Sequence, residues 1–121
     1  MRNLASMNAM QSLVHDYWFD LEQARHDALE HTFTIQLGKN KKGPYQRTVT
    51  VTDVSKVDVI DEANIGIYDL NKITAKTGCV ELLSHFPLKI RLSVGEAAEL
   101  SLQDEEGISY YVPIFRIGEF P

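Results

Sequence analysis

The chain has 121 residues, 44% of them apolar, and a single cysteine, Cys79. A chain of this length suits one domain that buries roughly 65–70% of its unfolded surface in one core, and a lone cysteine excludes an intramolecular disulfide. The net charge of −5 lies wholly in residues 61–121, with five Lys/Arg against ten Asp/Glu, while residues 1–60 carry seven of each; this excludes the basic face of a general nucleic-acid binder.

Leu4, Met7, Met10, Leu13 and Val14 recur at helical spacing, with Ala5, Ala9 and Gln11 between them, which predicts a short N-terminal helix. Asn3, Ser6, Asn8, Gln11 and Ser12 break up that stretch, so it lacks the apolar core of a signal peptide. No run reaches the roughly 18–20 apolar residues that cross a bilayer. A cytoplasmic protein without membrane contact is the expectation.

Tyr17-Trp18-Phe19-Asp20-Leu21 is rich in strand formers. Residues 21–31 read in two ways. Leu21, Ala24, Ala28 and Leu29 share a helical face, and Asp20 with Gln23 has the form of a capping box. The alternative is a hairpin, with its strand running to His26 and its turn at Asp27–Glu30.

Phe33, Ile35 and Leu37 then alternate with Thr32, Thr34 and Gln36, the pattern of a half-buried strand. Gly38–Tyr45 is a turn-rich loop bearing Lys39, Lys41 and Lys42. Val49 and Val51 alternate with Thr48, Thr50 and Thr52 in a second strand over 47–54, and Val57, Val59 and Ile60 predict a third. After a break at 61–64, strands are expected at 65–70, 80–83, 88–94, 98–102 and 109–115. The last two are joined by the turn Asp104-Glu105-Glu106-Gly107. Pro113 has no amide donor, which places the final strand at a sheet edge or a bulge. Short strands at intervals of about ten residues predict a mainly β fold, an antiparallel sandwich or small barrel.

Patterns that could carry chemistry are sparse. His15-Asp16 and His26-Asp27 are His-Asp dipeptides, but the metal phosphohydrolases built on such pairs hold them on a helical bundle, whereas this chain is β-rich. With His31 and His85 there are four imidazoles, none in a tight ligand spacing beside a carboxylate, so no metal site and no cofactor are expected. Cys79 has His85 six residues on, yet Pro87 argues against one strand aligning them, and Cys79 reads as buried and structural. Ser93-Val94-Gly95 lacks the first glycine of a nucleophile elbow. The loop Gly38-Lys39-Asn40-Lys41-Lys42-Gly43 has no G-K-[ST] ending. It reads as a solvated loop whose lysines would meet an acidic partner or the acidic half of a second copy. Asp53, Asp58, Asp61, Glu62 and Asp69 are spread over three elements and read as solvated carboxylates.

Three segments share a pattern: His15-Asp16-Tyr17-Trp18-Phe19-Asp20, Val54 with Val59-Ile60-Asp61, and Ile65-Gly66-Ile67-Tyr68-Asp69-Leu70-Asn71. With Phe86-Pro87-Leu88 they resemble a family of small uncharacterised bacterial β-proteins. Its members look like HD-x-W-F-D, followed by I-x-x-Y-D-[FL]-N and a strand ending near a Pro. The resemblance covers about residues 14–94 and implies no activity. It implies a hairpin rather than a helix over 21–37, and it singles out Trp18, Asp20, Asp61, Tyr68, Asp69 and Asn71 as a set. Asp and Asn beside strand ends tie down turns through side-chain to backbone hydrogen bonds, the default role for that set.

The leading functional expectation is a non-enzymatic binding or interaction protein with a protein partner, as in small acidic immunity proteins that neutralise a partner. It rests on the acidic half, the missing catalytic constellation, and a C-terminal strand over 109–115 able to pair with another chain. One alternative is a small-molecule-binding or hydrolytic barrel in which Trp18, Tyr68 and nearby carboxylates converge on one pocket. The other is a structural homo-oligomer.

Overall fold

The structure, a computed structural model, describes residues 2–114. In chain order its elements are β1 (Arg2–Leu4), α1 (Met7–Val14), β2 (Tyr17–Asp20), β3 (Arg25–Asp27), β4 (Thr32–Leu37), β5 (Arg47–Val51) and β6 (Val54–Asp61). They continue with β7 (Ile67–Leu70), β8 (Lys72–Lys76), β9 (Cys79–Leu83), β10 (Leu88–Val94), β11 (Glu99–Gln103) and β12 (Ser109–Pro113). One sheet runs β1-β12-β11-β5-β4-β3, a second runs β6-β10-β9-β8, and β2 pairs with β7 as a separate ribbon. All pairings are antiparallel except β1 beside β12. The arrangement is a mainly β sandwich with one short helix; it is not a closed barrel.

The period-2 alternation decides which side chains meet. Phe33, Ile35 and Leu37 on β4, Val49 and Val51 on β5, and Leu100 and Leu102 on β11 turn inward from the first sheet. Ile73, Val80, Leu82, Ile90 and Leu92 turn inward from the second, and all belong to one buried cluster. Each such aliphatic side chain contributes roughly 1.5–3 kcal/mol when fully buried. Helix α1 adds Met10 and Val14 to that cluster, and the ribbon adds Phe19, Tyr68 and Leu70. Ser6 caps α1, its Oγ accepting from Ala9 N at 3.1 Å. Asp16, at φ 65°, then turns the chain into β2.

The ribbon stitches the sheets together at one end. Trp18 and Gly38 exchange two backbone hydrogen bonds (2.7 and 2.8 Å), tying β2 to the end of β4, while Asn71 N donates to Leu83 O on the second sheet at 2.8 Å. Gly38 has no alternative here, because a Cβ at that position would collide with the Pro44 carbonyl.

Several expectations change. The helix starts at Met7, and Arg2–Leu4 instead pairs in parallel with Ser109–Tyr111. Residues 21–31 hold one 3-10 turn (Leu21–Gln23), capped by Asp20, and then the hairpin β3–β4. In its turn, Asp27 Oδ1 accepts from Leu29 N and Glu30 N, both at 3.0 Å. The helical reading therefore survives as a single turn. Strand β8 was not foreseen: only Ile73 of its five residues is buried, and Lys72 and Lys76 mask the pattern.

Strand β12 is not an edge over Ser109–Tyr111, since β1 occupies that side; Pro113 lies beyond the reach of β1, where no donor is needed. Phe115, the expected end of that strand, falls outside the described residues. Cys79 is half-buried on the outer face of the second sheet, not in the core. Among the described residues no helix is long and apolar enough to cross a membrane.

Candidate functional site

Strand β7 carries two carboxylate networks that face opposite ways. Tyr68 points into the core and is fully buried. Its hydroxyl donates to Asp61 Oδ1 at 2.5 Å and accepts from Ile65 N at 3.0 Å, and Asp61 Oδ1 also accepts from Asn64 N at 2.8 Å. The Tyr68 hydroxyl first, then the Asn64 amide, hold the Asp61 carboxyl below the usual carboxylate range. This knot closes the loop from β6 to β7.

Asp69 faces the other way and is the one buried charged residue among the described residues, at 5% exposure. Its Oδ1 accepts from Ser84 Oγ (2.6 Å) and His85 N (3.1 Å), and its Oδ2 meets His85 Nδ1. Burial pushes the Asp69 carboxyl up, but the bonds from the His85 ring, Ser84 and the His85 amide outweigh it, so the group stays ionised below its ordinary range. The same bond to Asp69 raises the His85 imidazole above its ordinary value.

Around this pair the corner after α1 brings two more groups. Asp16 lies close enough that ligand atoms of Asp16, Asp69 and His85 all fall within 4.8 Å of one another. His15 follows, its Nδ1 on the Asn71 carbonyl at 2.9 Å and its Nε2 3.4 Å from Asp16 Oδ2. The His15 and His85 ring centroids are 6.5 Å apart.

Comparison of this chain with family models, with curated proteins and with solved structures finds no match. The reading of the molecule therefore rests on its own geometry.

The six residues singled out by the resemblance do not gather in one cleft. Asp20 caps the 3-10 turn, accepting from Glu22 N at 3.0 Å, and Asp61 and Tyr68 form the loop knot. Trp18 stands beside Asp69 in register, with Phe86 at 6.5 Å between ring centroids, and Asn71 acts through its backbone. Asp20, Asp61 and Tyr68 thus have architectural partners, while Asp69 has site-like ones. His85, Ser84 and Asp16 were missed as members of a cluster. They lie 16, 15 and 53 residues from Asp69 in sequence, so spacing could not link them.

A groove of about 530 Å³ lies elsewhere, between the lysine loop and the hairpin at Asp104–Glu106. Arg47 makes a two-pronged ion pair with Glu105 there (3.0 and 2.8 Å). The Arg47 bond first, with Lys39 and Arg47 charge adding, lowers the Glu105 pKa. Of the loop lysines, Lys39 lines this groove and Lys41 stands 5.7 Å over the Trp18 ring.

A third feature is apolar. Ile60, Leu83, Phe86, Pro87 and Leu88 line a shallow groove of about 250 Å³, rimmed by Glu62 and Lys89. It adjoins β6, whose second side pairs with no strand among the described residues.

Proposed function

We propose that this chain is a non-enzymatic interaction protein whose partner adds an extended, acidic segment along β6. The observation that carries this reading is the state of the sheet edges. Exposed edges recruit other chains unless they are short, charged or covered. Strands β1 and β3 are three residues long, and β8 has a lysine at each end. Strand β6 is the exception: it runs eight residues, with Val59 at 47% and Ile60 at 43% exposure on opposite faces. Of its charged residues, Lys56 pairs with Asp58 at 3.6 Å and Asp61 is held in the loop knot by Tyr68, so Val57–Ile60 carries one charge, already paired.

Acidity of the partner follows from charge. The outer face of the same sheet carries Lys56, Lys72, Lys76, Lys89 and Arg91 against Asp58 and Glu81, as the register aligns them. A net positive face beside an unblocked edge favours an acidic strand: main-chain bonds give affinity, and the flanking charges give selectivity and a faster on-rate. Neutralising a basic partner, the immunity-like form of this reading, would draw instead on the acidic hairpin, where Glu105 is already engaged by Arg47. The barrel reading has less support, because the sheets form no closed barrel and, among the described residues, Asp20, Asp61 and Tyr68 are engaged in turn and loop contacts.

The test compares wild type with Ile60→Lys and Val59→Lys as baits, each checked for native circular dichroism. A stoichiometric acidic partner retained by wild type and lost from both variants supports the reading. Equal retention by the variants overturns it, as does light scattering showing a dimer of this chain that Ile60→Lys dissociates.

A further inference from the structure

We propose that Asp16, Asp69 and His85, with His15 as a fourth ligand through Nε2, bind one divalent transition-metal ion of the zinc class. This goes beyond the interaction reading and does not depend on it.

The donor set is the first support. Ligand atoms of Asp16, Asp69 and His85 already lie within 4.8 Å of one another, and His15 Nε2 is 3.4 Å from Asp16 Oδ2. Around tetrahedral zinc, neighbouring ligand atoms stand roughly 3.4 Å apart, given metal–ligand bonds near 2.1 Å. Asp16 and His85, at 65% and 58% side-chain exposure, are free to draw in around an ion, and His15, at 53%, reaches the set from the Asp16 side. Two imidazoles with two carboxylates suit zinc, cobalt or iron, whereas magnesium and calcium favour all-oxygen sets.

The second support is how the ligands are held. The Nδ1 of His15 sits on the Asn71 backbone carbonyl at 2.9 Å. That contact makes Nδ1 the protonated nitrogen and turns the Nε2 lone pair toward Asp16, the outer-shell arrangement typical of metal-bound histidine. Asp69 is fixed in the same way by Ser84 Oγ and the His85 amide on Oδ1, while its Oδ2 faces the cluster and meets His85 Nδ1.

The third is a charge imbalance that architecture does not explain. Asp16 stands just past the C-terminus of α1, where the helix dipole disfavours an anion, and α1 has no basic residue in its last turn. It adopts φ 65°, a conformation that glycine or asparagine would take without adding charge. A second carboxylate, Asp69, lies alongside. Among the described residues the only ion-pair partners of these two aspartates are His15 and His85, both of which lone-pair chemistry makes ligands. A bound dication would balance that charge and cross-link three segments distant in sequence.

The test is calorimetric titration of the intact protein with Zn²⁺, paired with Co²⁺ absorption as a reporter of imidazole and carboxylate coordination. The expected result is one site per chain with a cobalt d–d band, and a rise in Tm with zinc. His85→Ala and Asp16→Asn should each weaken zinc about tenfold or more. Both positions are exposed, so folding is retained even if Asp69→Asn proves unstable. His26→Ala and Cys79→Ser should leave affinity unchanged. No zinc binding, affinity indifferent to His85→Ala and Asp16→Asn, or loss of binding in His26→Ala or Cys79→Ser would each overturn the proposal.

Discussion

The two sheets of this sandwich share one core but treat their outer faces and edges differently. On the six-stranded sheet the central outer face is uncharged and satisfied within itself. Thr48 donates to Gln36 at 2.8 Å, Thr34 and Thr50 hydroxyls meet at 3.4 Å, and Ser101 donates to the Thr50 carbonyl at 3.4 Å. Its edge strands are three residues long. On the four-stranded sheet the outer face is charged and net basic, and β6 leaves eight residues of edge with apolar side chains exposed. A closed hydrogen-bond ladder with blunt edges stabilises a fold and repels other strands. An open edge under a charged face is where a partner gains most, so the proposed function assigns stability to one sheet and recognition to the other.

The largest effect that would sharpen this contrast is on binding. The double variant Val59→Lys/Ile60→Lys should lower partner affinity at least about tenfold while changing stability by roughly 0.5 kcal/mol or less, since both positions are half exposed. Affinity by biolayer interferometry and stability by urea melting separate the two.

Next in size is the knot that orients the end of β6. Tyr68→Phe strands the Ile65 amide and removes a donor from Asp61, so a loss of about 1–3 kcal/mol is expected in the urea midpoint. A variant as stable as wild type would show that the knot is decoration.

The same knot sets a pH dependence. The folded Asp61 pKa is depressed, so its contribution is complete above the ordinary carboxylate pKa near 4 and is lost as pH falls through the depressed value. Asp61→Asn should flatten that part of the acid side of the stability profile, and an unchanged profile would assign the acid sensitivity elsewhere. Smallest is Thr50→Val on the six-stranded sheet. It should alter stability by less than about 1 kcal/mol and leave partner binding untouched; a binding defect there would move the recognition face to the wrong sheet.

The fold was largely legible. Period-2 patterns placed β4, β5, β9 and β10 because each has a buried face and a wet one, and Gly107 at φ 86° closes the turn foreseen at 104–107. Strands β1 and β8 were not legible, since three residues at one edge and a lysine-flanked edge bury too little to leave a pattern. The β12 edge inferred from Pro113 is open at Pro113 itself, while over Ser109–Tyr111 it is filled by β1, far off in sequence.

The candidate sites were mostly hidden for the same reason. Tyr68 and Asp69 stood out as neighbours, but their different duties come from strand parity plus partners at 61, 84–85 and 15–16 that only the fold brings near. The C-terminal acidity was visible as a count, yet its consequence was not: Glu105 is spent on Arg47, and the second sheet presents lysines.

The most direct test of the division between the sheets is amide hydrogen exchange on the complex captured by the wild-type chain. The account predicts new protection along Val54–Asp61, with Thr32–Leu37 and Arg47–Val51 unchanged. Protection on those two strands or on the 104–107 hairpin, with β6 unaltered, would contradict it.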